Sequence, residues 1–249
     1  MVSVQQVYET LKDLANKDQK GFITPAVFNN FAGVAQINIY NEMFQELVKA
    51  KQIQRQNFDP GRDKSVRKQI TEDLSVFIVS DLEIPGDETI FLKPANLSKI
   101  ISISTSESNR AFAGYVSGRY NRHQVELVYD AEKIDRILTS NLSTPTEDFP
   151  VALIAQDIEV FPTTISDIRV TYYRRPGSIN QIGDAIDLPP TYASVIGAFG
   201  EQFNPNSSLD FMLPPHYTTE LVMEMAKLIG VRLRDPNLAG FAAQEEASE

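Results

Sequence analysis

Apolar residues recur at helical spacing at the start of the chain. The pattern predicts a helix over residues 3–15, because apolar side chains three and four positions apart share one helix face. Ser3 precedes the pattern and is a preferred N-cap residue. The apolar positions of this helix are Val4, Val7, Leu11 and Leu14.

A longer helix is predicted over residues 25–53, where apolar residues again recur at helical spacing. Its apolar stripe comprises Phe28, Phe31, Ala32, Ala35, Ile39 and Phe44. Between the two helices, Gly21 can end the first in the left-handed conformation, whereas Thr24 can cap the second and Pro25 suits its first turn. Residues 1–56 are therefore predicted to form a helical hairpin whose apolar faces pack on each other and on a third element.

Residues 57–74 are polar and carry the turn signal Asp59-Pro60-Gly61. They form a basic segment in an acidic protein. The cations of this segment, with the preceding Arg55, are Arg62, Lys64, Arg67 and Lys68. We interpret the segment as a solvated linker or loop. A sharper alternative is an arm that docks on an acidic neighbour, whereas contact with nucleic acid is the least favoured interpretation because Phe58 is its only aromatic residue.

Residues 75–176 carry a different pattern, in which short runs of β-branched and aromatic residues are bounded by Pro, Gly and Asn. The predicted strands are Ser75–Ser80, Thr89–Leu92, Ile100–Ser104, Gln124–Tyr129, Val151–Ala155, Asp157–Phe161 and Asp167–Tyr173. The strands within 151–161 have the length and alternation of a hairpin. A short helix is predicted over residues 130–141, with Asp130 as its cap. We therefore expect a mostly antiparallel β region that contains one short helix.

The remainder of the chain returns to helical patterning. Residues 177–212 are predicted to be a loop-rich connector, and residues 213–249 to hold C-terminal helices and an acidic tail. Gly230 is the predicted stop of the first of these helices, and Asp235-Pro236 the start of a last short one. The apolar stripe comprises Leu221, Val222, Met225, Leu228 and Ile229. Because helices lie at both ends and strands in the middle, the predicted fold class is α+β rather than parallel α/β.

Composition narrows the classes of function. The chain has 249 residues, 42% of them hydrophobic, which is enough for one elaborated domain or two smaller ones. Its formal net charge of −10 argues against non-specific binding to DNA or anionic membranes and favours basic partner surfaces. The absence of cysteine excludes disulfides, cysteine-based zinc sites and thiol nucleophiles. Neither a signal peptide nor a membrane-spanning run is predicted.

Patterns of catalytic or metal-binding residues are sparse. Residues 16–27 have the order of a calcium loop, but Lys20 stands at its fifth ligand position and Val27 replaces the closing glutamate, so no calcium site is predicted. The two histidines, His123 and His216, have no neighbouring nucleophile in sequence. We interpret them as surface or packing residues rather than catalytic bases.

Carboxylates cluster around Pro85-Gly86. They are Asp81, Glu83, Asp87 and Glu88. We interpret them as solvated charges at a hairpin turn, the alternatives being a cation site or the acid–base groups of a hydrolase. The sequence thus predicts no catalytic, cofactor-binding or metal-binding residues and no cofactor, so we expect a protein that is not an enzyme.

A run of aromatic and basic residues ends the last predicted strand. The run is Tyr172, Tyr173, Arg174 and Arg175. Tyrosine and arginine are enriched at the energetic centres of protein interfaces, and a strand end with one tyrosine in the core and two solvated arginines is an equal alternative. The interface candidates are this run together with Arg62, Lys64, Arg67 and Lys68.

Three segments carry a resemblance to a known family. They are residues 14–44 (LANKDQKGFITPAVFNNFAGVAQINIYNEMF), 149–176 (FPVALIAQDIEVFPTTISDIRVTYYRRP) and 209–242 (LDFMLPPHYTTELVMEMAKLIGVRLRDPNLAGFA). In this order, with a helical hairpin, a β region and a Leu-Pro-Pro-x-Tyr helix, they resemble a virion structural protein of tailed phages, of the crAss-like type and its marine and Bacteroidetes-infecting relatives. The segments cover somewhat under half of the chain.

The resemblance implies a ring or adaptor protein of the head–tail connector, which joins the capsid portal to the tail and lines the DNA channel. The implied partners are identical subunits in a ring, commonly twelvefold, the portal protein, neighbouring tail proteins and DNA that passes without sequence recognition, with no membrane. The implied location is the head–tail junction of the virion, after assembly in the host bacterial cytoplasm. A capsid-associated or tail-hub protein of the same virion is the main alternative, followed by a virion enzyme.

Overall fold

The computed structural model describes residues 1–17, 23–56, 62–86, 89–106, 122–197 and 200–232. Within them the helices are α1 (Val4–Lys17), α2 (Pro25–Gln56), α3 (Arg62–Leu74), α4 (Ala131–Thr139) and α5 (Thr218–Arg232). The strands are β1 (Ile78–Pro85), β2 (Ile90–Phe91), β3 (Leu97–Ser106), β4 (Arg122–Gln124), β5 (Glu126–Val128), β6 (Val151–Ile154), β7 (Ile158–Phe161), β8 (Asp167–Arg174), β9 (Ser178–Ile179), β10 (Ala185–Ile186), β11 (Ser194–Gly197), β12 (Gly200–Phe203) and β13 (Asp210–Phe211). Helices with antiparallel sheets confirm the predicted α+β class.

The chain divides into two compact units. Unit 1 comprises Met1–Phe77 with Pro176–Glu249, and unit 2 comprises Ile78–Arg175. The predicted β-rich region, 75–176, therefore exceeds unit 2 by a few residues. Its first residues, Ser75–Phe77, form a 3-10 turn rather than the start of a strand, and β1 begins at Ile78.

Unit 1 buries the apolar faces of its helices. Helix α2 contacts both α3 and α5, and α1 contacts α5, so α5 is the third element on which the predicted helical hairpin packs. Tyr8 of α1 packs edge-on against Phe28 of α2, with ring centroids 5.3 Å apart. The Tyr8 hydroxyl donates a hydrogen bond of 3.0 Å to the carbonyl of Ile23. Other buried side chains of these helices are Val4, Val7, Leu11, Ala32, Ile39, Met43, Leu221 and Met225.

The N-terminus of α2 has the predicted cap. Thr24 Oγ1 accepts a hydrogen bond from the amide of Val27 at 3.3 Å, and Pro25 is the first helical residue. Proline suits this position because the first amides of a helix have no intrahelical acceptor. Gly21 lies outside the described residues.

The N-terminus of α1 is capped by a residue distant in sequence. The amide of Val4, its first residue, donates a 2.8 Å hydrogen bond to the carboxylate of Asp210. A carboxylate at this end also complements the positive pole of the helix dipole. Backbone hydrogen bonds between Val2 and both Phe211 and Leu213 tie the same segments together. Sequence spacing identified Ser3 as the candidate cap and could not identify Asp210.

Gln36 of α2 connects the helices of unit 1 to its small sheet, in which β9 lies between β10 and β13. Its side chain is 1% exposed. Its Nε2 donates to the carbonyl of Gly177 at 2.6 Å, and its Oε1 accepts from the amide of Met212 at 2.9 Å. A side chain at Gly177 would collide with the carbonyl oxygen of Ile186, so the close approach of the backbone at Ile186 to residue 177 requires glycine. Five short strands, β9 to β13, lie within residues 177–212, so much of the predicted loop-rich connector has regular structure.

Residues 62–74 correct one prediction. The interpretation of 57–74 as a linker or loop is wrong for them, because they form α3 and pack on α2. The side chains of Ile70 and Leu74 are buried, and these positions are four residues apart on one helix face. Residues 57–61 lie outside the described part of the chain.

Helix α5 corrects a second prediction. Gly230 does not end the helix, because α5 continues through it to Arg232. Glycine inside a helix costs about 1 kcal/mol relative to alanine, and the buried apolar side chains of Leu221, Met225 and Ile229 offset this cost. The predicted last helix at Asp235-Pro236 and the acidic tail lie outside the described residues.

Unit 2 consists of two four-stranded sheets that share one core. One sheet has the order β1-β8-β3-β4 and the other β2-β7-β6-β5. Pairing is antiparallel apart from β5 with β6, and the predicted hairpin of β6 and β7 is confirmed. The shared core contains side chains of both sheets, including Ile84, Ile103, Ile168 and Val170 of the first and Phe91, Ala152, Ile158 and Val160 of the second.

The chain changes sheets at Val125. The sequence predicted one strand over 124–129, whereas the structure has β4 in the first sheet and β5 in the second. The Val125 side chain is buried and its amide donates to the carbonyl of Ile103 at 3.0 Å. The following helix α4 has the predicted cap, because Asp130 accepts a 3.0 Å hydrogen bond from the amide of Glu132.

Candidate functional site

The run at the end of β8 divides between core and surface. Tyr172 is buried, and its hydroxyl donates a 2.8 Å hydrogen bond to Asn96 Oδ1. Tyr173 and Arg174 are half-buried, and burial raises the pKa of Tyr173. Arg175 is exposed, with its amide bonded to the carbonyl of Asn96 at 2.7 Å. The packing alternative is thus correct for Tyr172, but its expectation of two solvated arginines is wrong for Arg174.

The basic candidates lie on α3. Arg67 and Lys68 are exposed, and Lys68 Nζ lies 3.5 Å from Glu72 Oε1 one turn further along the helix. Arg62 and Lys64 belong to the first turns of the helix, and their side chains lie outside the described part of the structure. The candidates of α3 and those of β8 belong to different units, so neither unit contains both sets.

The candidate acidic cluster is engaged by an arginine. Arg169 of β8 places Nη1 3.0 Å from Asp81 Oδ2 and Nη2 2.8 Å from Glu83 Oε2. Asp81 has a φ of 60° at a register shift between β1 and β8, a conformation that aspartate tolerates better than most residues. The guanidinium occupies carboxylate oxygens that a cation or substrate would need. Asp87 and Glu88 lie outside the described residues.

His216 contacts a carboxylate at the base of α5. Its Nε2 lies 3.2 Å from Oδ1 of Asp73, and the hydroxyl of Tyr217 lies 3.3 Å from Oδ2 of the same carboxylate. Burial, followed by the charge of Asp73, raises the pKa of Tyr217. The contacts of His216 and Tyr217 with Asp73 connect the turn before α5 to the last turn of α3. His123 of unit 2 lies 3.8 Å from Asp148.

Neither a metal-binding group of side chains nor a membrane-spanning helix is found in the part of the chain that the structure describes. No group of three His, Asp or Glu side chains there could hold a metal ion, and no helix there is long and apolar enough to cross a bilayer. Much of the calcium-like segment 16–27 lies outside the described residues, so the prediction that it binds no calcium stays a prediction.

A groove in unit 2 carries exposed apolar side chains that the sequence did not single out. It has a volume of about 530 Å³ and lies beside α4, β5 and the loop 140–150. Leu142 is 99% exposed and Phe149 79% exposed at this groove. The other apolar lining residues are Ile137, Pro150 and Val151. The available signal was the presence of Leu142 and Phe149 in an otherwise polar loop.

A second surface of this kind is the hairpin of β11 and β12 in unit 1. The strands pair from Ser194↔Phe203 to Gly197↔Gly200, and no third described strand joins them. Val195 is 52% exposed and Ile196 90% exposed. Because neighbouring residues of a strand point to opposite faces, both faces of the hairpin present an apolar side chain to solvent.

The base of this hairpin is fixed. The amide of Asn204 donates to the carbonyl of Ala193 at 2.9 Å, which continues the ladder below the two strands. The ring of Phe203 packs against that of Tyr192, with centroids 5.3 Å apart. The hairpin is therefore anchored at one end and exposed along its length. Its tip, residues 198–199, lies outside the described residues.

Comparisons with known proteins do not place the chain in a family. No family model matches it, and no curated protein is found to be similar. The hairpin, the groove and the resemblance of the three sequence segments are the observations that bear on its function.

Proposed function

We propose that the protein is a non-enzymatic structural subunit of a tailed-phage virion. It assembles with identical subunits into a ring or adaptor of the head–tail connector, where it joins the capsid portal to the tail. The single observation that carries the assembly part of this proposal is the hairpin of β11 and β12, with Val195 and Ile196 exposed on its two faces.

A hairpin with these features is unfavourable when water surrounds it. A two-stranded hairpin without a third strand is at best marginally stable in water, and open strand edges with apolar side chains favour pairing with other chains. Such an element is stabilised when a neighbouring subunit covers it. The fixed base at Ala193 and Asn204 holds it ready for that contact.

The assignment to a connector comes from the resemblance of residues 14–44, 149–176 and 209–242 to virion proteins of crAss-like and related phages. The segments lie in the expected order: the first includes the first part of α2, the second the hairpin of β6 and β7 with β8, and the third α5. A ring requires a heterologous contact, in which one surface of a subunit meets a different surface of the next. The two exposed surfaces described above are candidates for such contacts.

The charge of the chain supports a place beside a DNA channel. A formal charge of −10 repels the phosphate backbone, so DNA passes without being held. The proposed partners are further copies of the chain, commonly twelve, the portal protein and adjoining tail proteins. The proposed location is the head–tail junction of the virion, reached after assembly in the host bacterial cytoplasm.

Sedimentation velocity and mass photometry of the purified full chain, with and without a candidate portal protein, test the proposal. We expect a ring-sized species, alone or on the portal, whose symmetry electron microscopy then measures. A chain that stays monomeric in both conditions contradicts the proposal. A ring that microscopy of the virion places away from the head–tail junction contradicts the connector assignment and favours the capsid-associated or tail-hub alternative.

A further inference from the structure

The loop that carries the exposed apolar residues of the unit 2 groove is ordered by its own hydrogen bonds. The amides of Leu142 and Ser143 both donate to Ser140 Oγ at 3.3 Å. Thr146 and Phe149 exchange backbone hydrogen bonds of 3.4 and 3.1 Å, which closes a tight turn. Leu142 and Phe149 are exposed in this ordered loop and both line the groove, and exposed apolar surface at a groove marks interaction sites.

Carboxylates lie at and beside the groove. Glu126 lines it and pairs with Lys133 at 2.8 Å. Glu147 and Asp148 are exposed in the turn immediately before Phe149. An exposed acidic pair beside an exposed aromatic ring is suited to a basic partner.

Lysine and arginine side chains match both properties of this surface. Their aliphatic stems pack on apolar groups while their charged ends stay in contact with carboxylates or water. A guanidinium can also stack on an aromatic face such as that of Phe149. The chain itself carries such side chains at Arg67 and Lys68, which are adjacent and exposed on α3, where Lys68 also lies 3.5 Å from Glu72. Arg62 and Lys64 precede them on the same helix.

We propose that the groove at Leu142 and Phe149 receives the first half of helix α3, which carries Arg67 and Lys68, from a second copy of this chain. Glu147 and Asp148 of one copy face Arg67 and Lys68 of the next. The contact is heterologous, because groove and helix are different surfaces, and repetition of it generates a ring or a filament. The inference rests on the proposed ring-forming function for the presence of a second copy, and on the charges of the two surfaces for their pairing.

A pair of charge-reversal variants tests the contact in the full chain. The groove variant is Glu147→Lys with Asp148→Lys, and the helix variant is Arg67→Glu with Lys68→Glu. Each alone places like charges opposite one another, and we expect self-association to weaken roughly tenfold or more. Mixed in equal amounts, the two variants supply each other with opposite charges, so the mixture should assemble. Recovery on mixing is specific to a contact between separate molecules.

Matched controls change the same charges elsewhere in the same units. Asp135→Lys with Asp157→Lys makes the same change of charge in unit 2 at carboxylates outside the loop 140–150. Lys49→Glu with Lys51→Glu alters exposed cations of α2.

Phe149→Ala removes the aromatic ring without a change of charge and should also weaken assembly. Circular dichroism and thermal unfolding establish that each variant is folded, and sedimentation velocity at low and high salt measures assembly.

The outcomes separate the failure of this inference from the failure of the proposed function. If the unmodified chain assembles and the groove and helix variants assemble equally well, the inference is overturned and the ring proposal stands. If folded variants stay monomeric and their mixture also stays monomeric, the pairing of these two surfaces is overturned. If the unmodified chain stays monomeric, alone and with the portal, both proposals are overturned.

Discussion

Replacement of Ile196 by aspartate is expected to weaken self-association without destabilising the subunit. The Ile196 side chain is 90% exposed, so a neighbour that covers the hairpin removes nearly all of it from water. Full burial of an isoleucine side chain contributes about 1.5–3 kcal/mol, and a carboxylate at the same place would lose its hydration. Since about 1.4 kcal/mol corresponds to a tenfold change in an equilibrium constant, each contact should weaken at least roughly tenfold.

The assay is sedimentation velocity over a concentration series, with thermal unfolding as the measure of subunit stability. Ile182→Asp is the matched control, because Ile182 is also in unit 1 and is 86% exposed, but lies outside the hairpin. We expect Ile196→Asp to shift assembly to higher concentration with an unchanged melting temperature, and Ile182→Asp to shift neither. Equal assembly of Ile196→Asp and the unmodified chain would refute the argument that a neighbour covers this hairpin.

Three further predictions concern the fold. Gln36→Leu should leave the carbonyl of Gly177 and the amide of Met212 unpaired, which should lower the free energy of unfolding by about 1–3 kcal/mol for each group. Urea unfolding measures this loss, with Gln36→Glu as the comparison variant. Asp130→Ala should destabilise unit 2 by about 1 kcal/mol through loss of the α4 cap, whereas Asp135→Ala on the same helix should not change the melting temperature. Burial, followed by the charge of Glu201, raises the pKa of Tyr8 from 10.0 to about 12. The unfolded chain therefore loses the Tyr8 proton at lower pH than the folded chain does. The contribution of this group to the free energy of unfolding is fully present below about pH 10 and is lost as the pH rises towards 12. Tyr8→Phe should reduce this pH dependence in urea titrations.

Helical and strand periodicity predicted most elements of this fold because local spacing determines which residues share a face. The caps Thr24 and Asp130 could be identified for the same reason, since each lies within three residues of the amide that it bonds. The carboxylate that caps α1 could not, because Asp210 lies 206 residues from Val4. Sequence reasoning thus found the contacts within an element and missed those that chain topology brings together.

Two of the corrected predictions, those for α3 and for residues 124–129, show different limits. In α3 the i, i+4 spacing of Val66, Ile70 and Leu74 was present in the sequence, but the turn signal and the charges before it outweighed three apolar residues. At Val125 no local signal existed, because no Gly, Pro or Asn interrupts the run from 124 to 129. The change of sheets is set by the pairing of β4 with β3 and β5 with β6, which are contacts between separate parts of the chain.

The candidate surfaces were less predictable than the fold, because exposure is a property of the folded molecule. Val195 and Ile196 have the composition of an ordinary core strand, and Leu142 and Phe149 could equally have folded inward. The basic residues of α3 and the run at β8 were named from sequence because charge and residue type are visible there. Whether they take part in an interface depends on surfaces that only the structure locates.

The residues that carry the family resemblance and the residues proposed to make contacts are largely different. The resembling segments supply core side chains such as Phe28 of unit 1 and Ile168 of unit 2. Ile196 of the hairpin, Leu142 of the groove and the whole of α3 lie outside these segments, whereas Phe149 of the groove is the first residue of one of them. In the proposed ring, the fold and most of the contacts would therefore depend on different residues. Exchange of the hairpin and of the exposed side chains of α3 for those of another protein of the proposed type should change the partner of this chain while leaving both cores intact.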